Sequence, residues 1–381
     1  MISAARGSEP WNACTRLLPP LLGSVILTAC NFPSDDGSSV GSKALWVANG
    51  TNVVEYNPAQ LSAGTSATPP HVSINSEVFG APQAVAFDPN GNLWVMDPMA
   101  LVNGAATPAL LEFSAAQLAA LATDNAPEPV AIITSPAYLK WPRQAVIDTV
   151  GNAWITDYSS NMVLVYTAAQ LSKTGTNMMS PVVALSSTQF NGVSGIAFDG
   201  SGNMWISNNG IAQSATQVFG GGTTIVEITA AHVPALPETG TSAPNLVSDA
   251  TLSDAGKASI QSPWSLGFDA SGNLWSSNSA TATVVAFAKA SLVTGAPAPS
   301  TTLSSTKVDN NPSLDQPHGI CFDDVGNLAV INEAGTSGAF GIAVFGAEQL
   351  MTGSPAPRVL ITGKDTTLNE PEGCTFGPVV K

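Results

Sequence analysis

Charge is what this chain has least of. Only 10% of its 381 residues are Asp, Glu, Lys or Arg, and 12 basic residues face 27 acidic ones, for a net charge of -15. A surface so poor in cations repels phosphate backbones, which excludes nucleic acid as a partner. Histidine is held to three residues and cysteine to four. No CxxC pair, P-loop or dinucleotide fingerprint occurs, so the chain carries no motif for a nucleotide or redox cofactor. Long apolar runs are missing too: the longest, residues 17 to 29, covers 13 positions and includes two prolines, too short to cross a bilayer as a helix. What is abundant is turn chemistry. With 34 Gly, 28 Pro and 44% hydrophobic residues, the composition excludes disorder and a helical bundle, and predicts many short strands around a large core.

The run Leu17 to Ala29 follows Arg6 and Arg16 and ends at Cys30, the layout of a signal-peptide h-region. Its last four positions, Leu27-Thr28-Ala29-Cys30, resemble the bacterial lipobox, and the resemblance implies cleavage before Cys30 and acylation of its thiol. Asn31 to Ser42 is a polar tether. The expected organisation is therefore a signal peptide over 1–29, a tether over 30–42 and one folded domain over 43–381. The bilayer would be a partner through the acyl chains. Asn31 after Cys30 is not the Asp of an inner-membrane retention signal, which favours the outer membrane in a Gram-negative cell envelope.

One unit then repeats. Pro82-Gln83-Ala84-Val85-Ala86-Phe87-Asp88-Pro89-Asn90-Gly91-Asn92-Leu93-Trp94-Val95 recurs from Pro142, Val193, Pro263 and Pro317, each time as strand, Asp-x-x-Gly-Asn turn, strand. In the turn, Asp caps free amides and Gly takes the left-handed position. Third strands follow, such as Val53-Val54-Glu55-Tyr56 and Leu110-Leu111-Glu112-Phe113, then capping-box turns with Gln at the third position, and proline-led fourth strands. The chain opens on a second strand, Ala44 to Asn49, and closes on a first strand, Pro371 to Gly377, so the two ends complete one blade. The expected fold is all-β: a six-bladed β-propeller of four-stranded blades, closed by its N- and C-terminal strands. The five repeat tryptophans, Trp46, Trp94, Trp154, Trp205 and Trp275, are read as packing between blades.

This unit is similar to NHL repeats and to the six-bladed gluconolactonase-like and streptogramin B lyase groups of the TolB-like superfamily, over residues 43 to 381. The resemblance implies a site around the mouth of the central channel. The residue after each repeat's opening position gives a ring of candidate ligand-binding residues: Gln83, Arg143, Ser194, Trp264, His318 and Glu372. A second ring at the ends of the second strands, Asn49, Asp97, Asp157, Asn208, Asn278 and Asn332, is read as turn caps. The gluconolactonase-like resemblance implies a divalent cation at the mouth, but of its ligand positions only Glu372 matches. Streptogramin-lyase-like chemistry would fall to His318 and Glu372. Neither enzyme reading displaces the main expectation, a monomeric binding or scaffolding module acting on a small polar ligand or a protein partner. No cofactor is expected, and the divalent cation stays open. Asp309, Asn311, Ser313 and Asp315 have alternate calcium-loop spacing but lack its Gly and terminal Glu, and are read as a solvated loop. Cys321 and Cys374, in first strands of neighbouring blades, either face each other as a disulfide or face apart. An Arg143–Glu372 pair across the mouth is the alternative to a ligand site.

Overall fold

The computed structural model describes residues 41–380, apart from 63, 211–220, 238–239, 255, 257–258, 334–339 and 352. The signal segment and Cys30 lie outside the described residues. Six sheets stand around an axis, and each begins on an inner strand that starts at the repeat's opening position or, at Ala84, two residues after it. These are Ala84–Phe87, Pro142–Ile147, Val193–Phe198, Pro263–Phe268, Pro317–Phe322 and Pro371–Gly377. Successive inner strands pack against one another all the way round, the last against the first. The closing blade is built from both ends of the chain: Pro371–Gly377 pairs antiparallel with Ala44–Asn49, which pairs with Asn52–Tyr56 and through it with Val72–Ile74. Counted from it, blades 2 to 6 follow in chain order.

The repeat signature is structural chemistry. Each turn Asp accepts from the amides two and four residues on and from the side chain of the turn Asn, as Asp88 does with Asn90 N, Asn92 N and Asn92 Nδ2 at 2.8–2.9 Å. The Asn then uses its carbonyl oxygen on the short helical turn after the third strand: Asn92 on Ala115, Asn152 on Ala168, Asn273 on Lys289. Gly91 stands at φ 80° and Gly272 at 81°, a backbone region that glycine enters without a Cβ penalty. The repeat Trp of one blade meets the repeat Phe of the next edge to face: Trp46–Phe87, Trp154–Phe198, Trp205–Phe268 and Trp275–Phe322, centroids 5.4–6.4 Å apart. Each such pair contributes about 0.5–1.5 kcal/mol beyond its buried area. Capping boxes form at Ser114/Gln117 and Thr167/Gln170.

Three sheets carry a fifth strand. Gly64–Ser66, Gly175–Met178 and Asn245–Leu246 lie in the interval between third and fourth strands and add in parallel to the outer strand of the preceding blade. The other three intervals reach the same edge without forming a strand, through Asn75 N to Asn125 O, the Leu252–Gly295 bridge and Ser304 N to Ser354 Oγ. The long third-to-fourth intervals are thus edge covers that blunt every outer strand. Blade 2 departs in another way: its second and third strands run on as a hairpin, Leu93–Val102 and Ala105–Phe113, turning at Asn103 and Gly104 with φ 52° and 78°.

Cys321 and Cys374 face each other and are bonded, joining the inner strands of blade 6 and the closing blade across 53 residues. They line a central-channel cavity of about 400 Å³.

Candidate functional site

The ring residues stand where they do because the inner strands are bulged there. In the closing blade and blades 4, 5 and 6, two inner-strand residues oppose one residue of the second strand, and in blade 3 Arg143 is the extra residue. A bulge bends its strand and re-aims the extra side chain, here over the channel mouth. Glycine follows the ring residue where the next backbone comes close: a Cβ on Gly319 would lie 2.5 Å from the Glu372 carbonyl oxygen, and one on Gly373 2.6 Å from that of Gln83.

A set of hydroxyls that the sequence reading passed over holds the ring in place. Thr156 Oγ1 donates to the Ser194 carbonyl, Ser207 Oγ to that of Trp264 at 3.2 Å, and Ser277 Oγ to that of His318 at 2.5 Å. Each lies two residues beyond its blade's repeat Trp and latches the next blade's ring residue. The equivalent positions Ala48, Met96 and Ile331 are apolar, so blades 3 to 5 alone have this latch. The signal was a Ser or Thr at one repeat position in three consecutive blades.

Four of the six ring residues, Gln83, Arg143, Trp264 and Glu372, line a mouth cavity of about 490 Å³, joined by Trp141 and Tyr158. Ser194 is fully buried and His318 nearly so. The Arg143 guanidinium carbon lies 4.0 Å over the ring of Tyr158 and 3.6 Å over that of Trp264. His318 stacks on Trp264, centroids 3.7 Å apart and planes 4° from parallel. One face of an indole has no room for both, so Arg143 and His318 take opposite faces. His318 Nδ1 meets Glu372 Oε2 at 2.6 Å. The small side chain of Ser194, between Arg143 and Trp264 around the ring, leaves the guanidinium free to reach across blade 4. The result is one continuous stack: Tyr158, Arg143, Trp264, His318, then Glu372. Arg143 and Glu372 do not pair, because the stacked rings stand between them. Beneath, Gln144 ties three inner strands, donating to Leu266 O at 3.2 Å and accepting from Ile196 N at 3.1 Å.

Three polar groups of the ring are buried without a partner: Arg143 Nε and Nη1, Ser194 Oγ and His318 Nε2. Burial pulls the Arg143 pKa down to about 10, partly offset by the field of Glu372, so the side chain stays cationic at neutral pH. Glu333, behind the mouth, is pushed up by burial first; His318 opposes that, while Glu372, Glu370 and Asp315 add to it.

The second ring consists of braces. Asp97 accepts from Gly80, Ala81 and Met99 amides, Asp157 from those of Lys140, Trp141 and Ser160, and Asn208, Asn278 and Asn332 each accept one amide and donate to a carbonyl. Asn49 accepts from Asn369 and donates to Thr367 O. His71 and His232 are engaged away from the mouth, with Glu55 and Asp249, each at 2.7 Å. Asp309 and Asn310 form the turn of a small hairpin, Lys307–Val308 with Asn311–Pro312, and Ser313 Oγ accepts the Thr306 amide. Among the described residues no group of three His, Cys, Asp or Glu could hold a metal ion. The mouth does not fit a divalent cation either: a hard ion needs several oxygens, and Arg143 and Trp264 occupy two of the ring positions.

No protein-family model and no curated protein matches this chain. Solved structures do match. The chain is similar to one in a nidogen/laminin complex, at 14% identity over 88% of this chain and 98% of that one, TM-score 0.53. It is similar also to a protein of unknown function from Bacteroides caccae, at 11% identity over 88% and 99%, TM-score 0.56. A streptogramin B lyase structure aligns at 12% identity over 78% and 87%, TM-score 0.43, and nothing about this chain's chemistry follows from it. The first two likenesses agree with the six-bladed β-propeller that the sheets build, and fold alone does not carry function.

Proposed function

We propose that this chain is a lipid-anchored, extracytoplasmic binding module whose channel mouth takes a small anionic ligand on the edge of Arg143. One observation carries the reading: Arg143 lines the mouth cavity with aromatic rings over both faces of its guanidinium and no carboxylate paired to it among the described residues. A guanidinium covered above and below can engage a ligand only in its own plane. There its donors form the fork that fits a carboxylate. The cavity volume lies within the range of small-molecule sites.

The anchor agrees with this placement. Ser42, at the end of the tether, bonds through its amide to Asp324 Oδ1 in an Asp-x-x-Gly-Asn turn, on the face opposite the mouth. A bilayer attached through Cys30 would lie on the turn side, and the mouth would open away from it. Cys321–Cys374 suits an oxidising compartment. The enzyme alternative rests on the 2.6 Å His318–Glu372 contact, but His318 lies behind the cavity wall rather than in it.

The test is a fluorescence titration of the full chain with N-acetyl-Ala-Ala-Ala, a carboxylate without an ammonium, read from Trp141 and Trp264 in the cavity wall. Saturable binding that Arg143→Ala abolishes is expected; binding unchanged by that substitution, or no binding, contradicts the reading. Cys30→Ala should release the protein from membranes, and a variant that still partitions into detergent at the wild-type mature mass would contradict the anchor.

A further inference from the structure

Deepening that reading, and resting on it, we infer that the ligand is amphoteric, with a carboxylate for Arg143 and a cationic group, such as an ammonium, for the closing-blade wall. The mouth cavity is not uniformly basic. Arg143 stands on the blade 3 side, and the closing blade contributes two carboxylates, Glu370 and Glu372. Glu370 is exposed, and its backbone holds the left-handed conformation at φ 49°, one residue before the inner strand. Glu372 gives one oxygen to His318, and its other oxygen is not among the buried polar atoms without a partner. Neither carboxylate forms an ion pair with Arg143: Trp264 and His318 stack between Arg143 and Glu372, although the field of Glu372 reaches the guanidinium.

The walls of this cavity of about 490 Å³ therefore carry one positive charge and two negative ones, with no ion pair between them. A dianion such as a phosphate monoester would satisfy Arg143 and be repelled by both glutamates. A simple amine would meet the glutamates and leave the Arg143 donors unpaired. A molecule with a carboxylate at one end and an ammonium at the other satisfies both walls. A short peptide with free termini has this chemistry, and Trp141 and Tyr158 offer apolar wall to what lies between the two ends.

The experiment compares Ala-Ala-Ala, N-acetyl-Ala-Ala-Ala and Ala-Ala-Ala amide by calorimetric titration of the full chain. The free tripeptide should bind about tenfold or more tighter than either blocked form. Glu370→Gln, an exposed change, should narrow the gap between the free and acetylated peptides by about twofold to fivefold, and an unchanged gap contradicts the part given to Glu370. Acetylated peptide binding as tightly as the free one, or tighter, overturns the inference and leaves a plain anion site. If the acetylated peptide does not bind at all, the anion site itself falls.

Discussion

Trp264 lies flat on His318, planes 4° from parallel, and its other face covers Arg143. The indole is thus a spacer that keeps the cation of blade 3 from the carboxylate of the closing blade. Trp264→Leu should weaken N-acetyl-Ala-Ala-Ala binding more than tenfold, since Arg143 loses one of its two ring contacts, each worth about 1–2 kcal/mol when desolvated. Arg143→Lys should not restore the affinity of Arg143→Ala, because an ammonium has no plane to insert between rings. Recovery by lysine would make the site a point charge rather than a fork.

The Cys321–Cys374 bond closes a 53-residue loop between the inner strands that carry His318 and Glu372. Chain-entropy reasoning gives a loop of that length about 4 kcal/mol. A variant with both cysteines changed to serine should melt about 5–10 °C lower and bind the acetylated peptide more weakly. An unchanged melting temperature, or alkylation of Cys321 and Cys374 in the unreduced native protein, contradicts this.

Burial, with Asp88 adding to it, pushes the Glu112 carboxyl up from its ordinary 4.5 to about 7. The folded state therefore holds this proton more tightly than the unfolded chain does. The stability so gained is complete below pH 4.5 and is lost as pH rises through 7, at most about 3 kcal/mol. Glu112→Gln should remove that part of the slope and melt higher than wild type at pH 8. Parallel pH profiles for the two proteins would show that Glu112 does not set it.

Fold and site were legible in the sequence to different depths. Asp88, Gly91, Asn92 and Trp94 each have a local job, capping, left-handed turning, bridging and inter-blade packing, so their spacing recurs and the propeller can be read from it. Even the membership of the ring at the mouth follows from the repeat. Its internal order does not: Arg143 passes over Ser194 to Trp264 because a bulge aims it and a small neighbour lets it through, and neither is written in the spacing. Tyr158 and Trp141 sit outside the repeat unit and gave no periodic signal. The blade 2 hairpin was marked by Asn103-Gly104, a turn pair between apolar runs that went unread.

The most direct test of the anion site is the Arg143 Nε–H resonance in nitrogen-edited spectra. The chain has four arginines, Arg6, Arg16, Arg143 and Arg358, and Arg143→Lys identifies the signal by its loss. On addition of N-acetyl-Ala-Ala-Ala the account predicts a shift of this proton that saturates with binding, as a carboxylate joins the same guanidinium, with Arg358 unmoved. A saturable titration followed by tryptophan fluorescence while the Arg143 Nε–H signal stays fixed would contradict it.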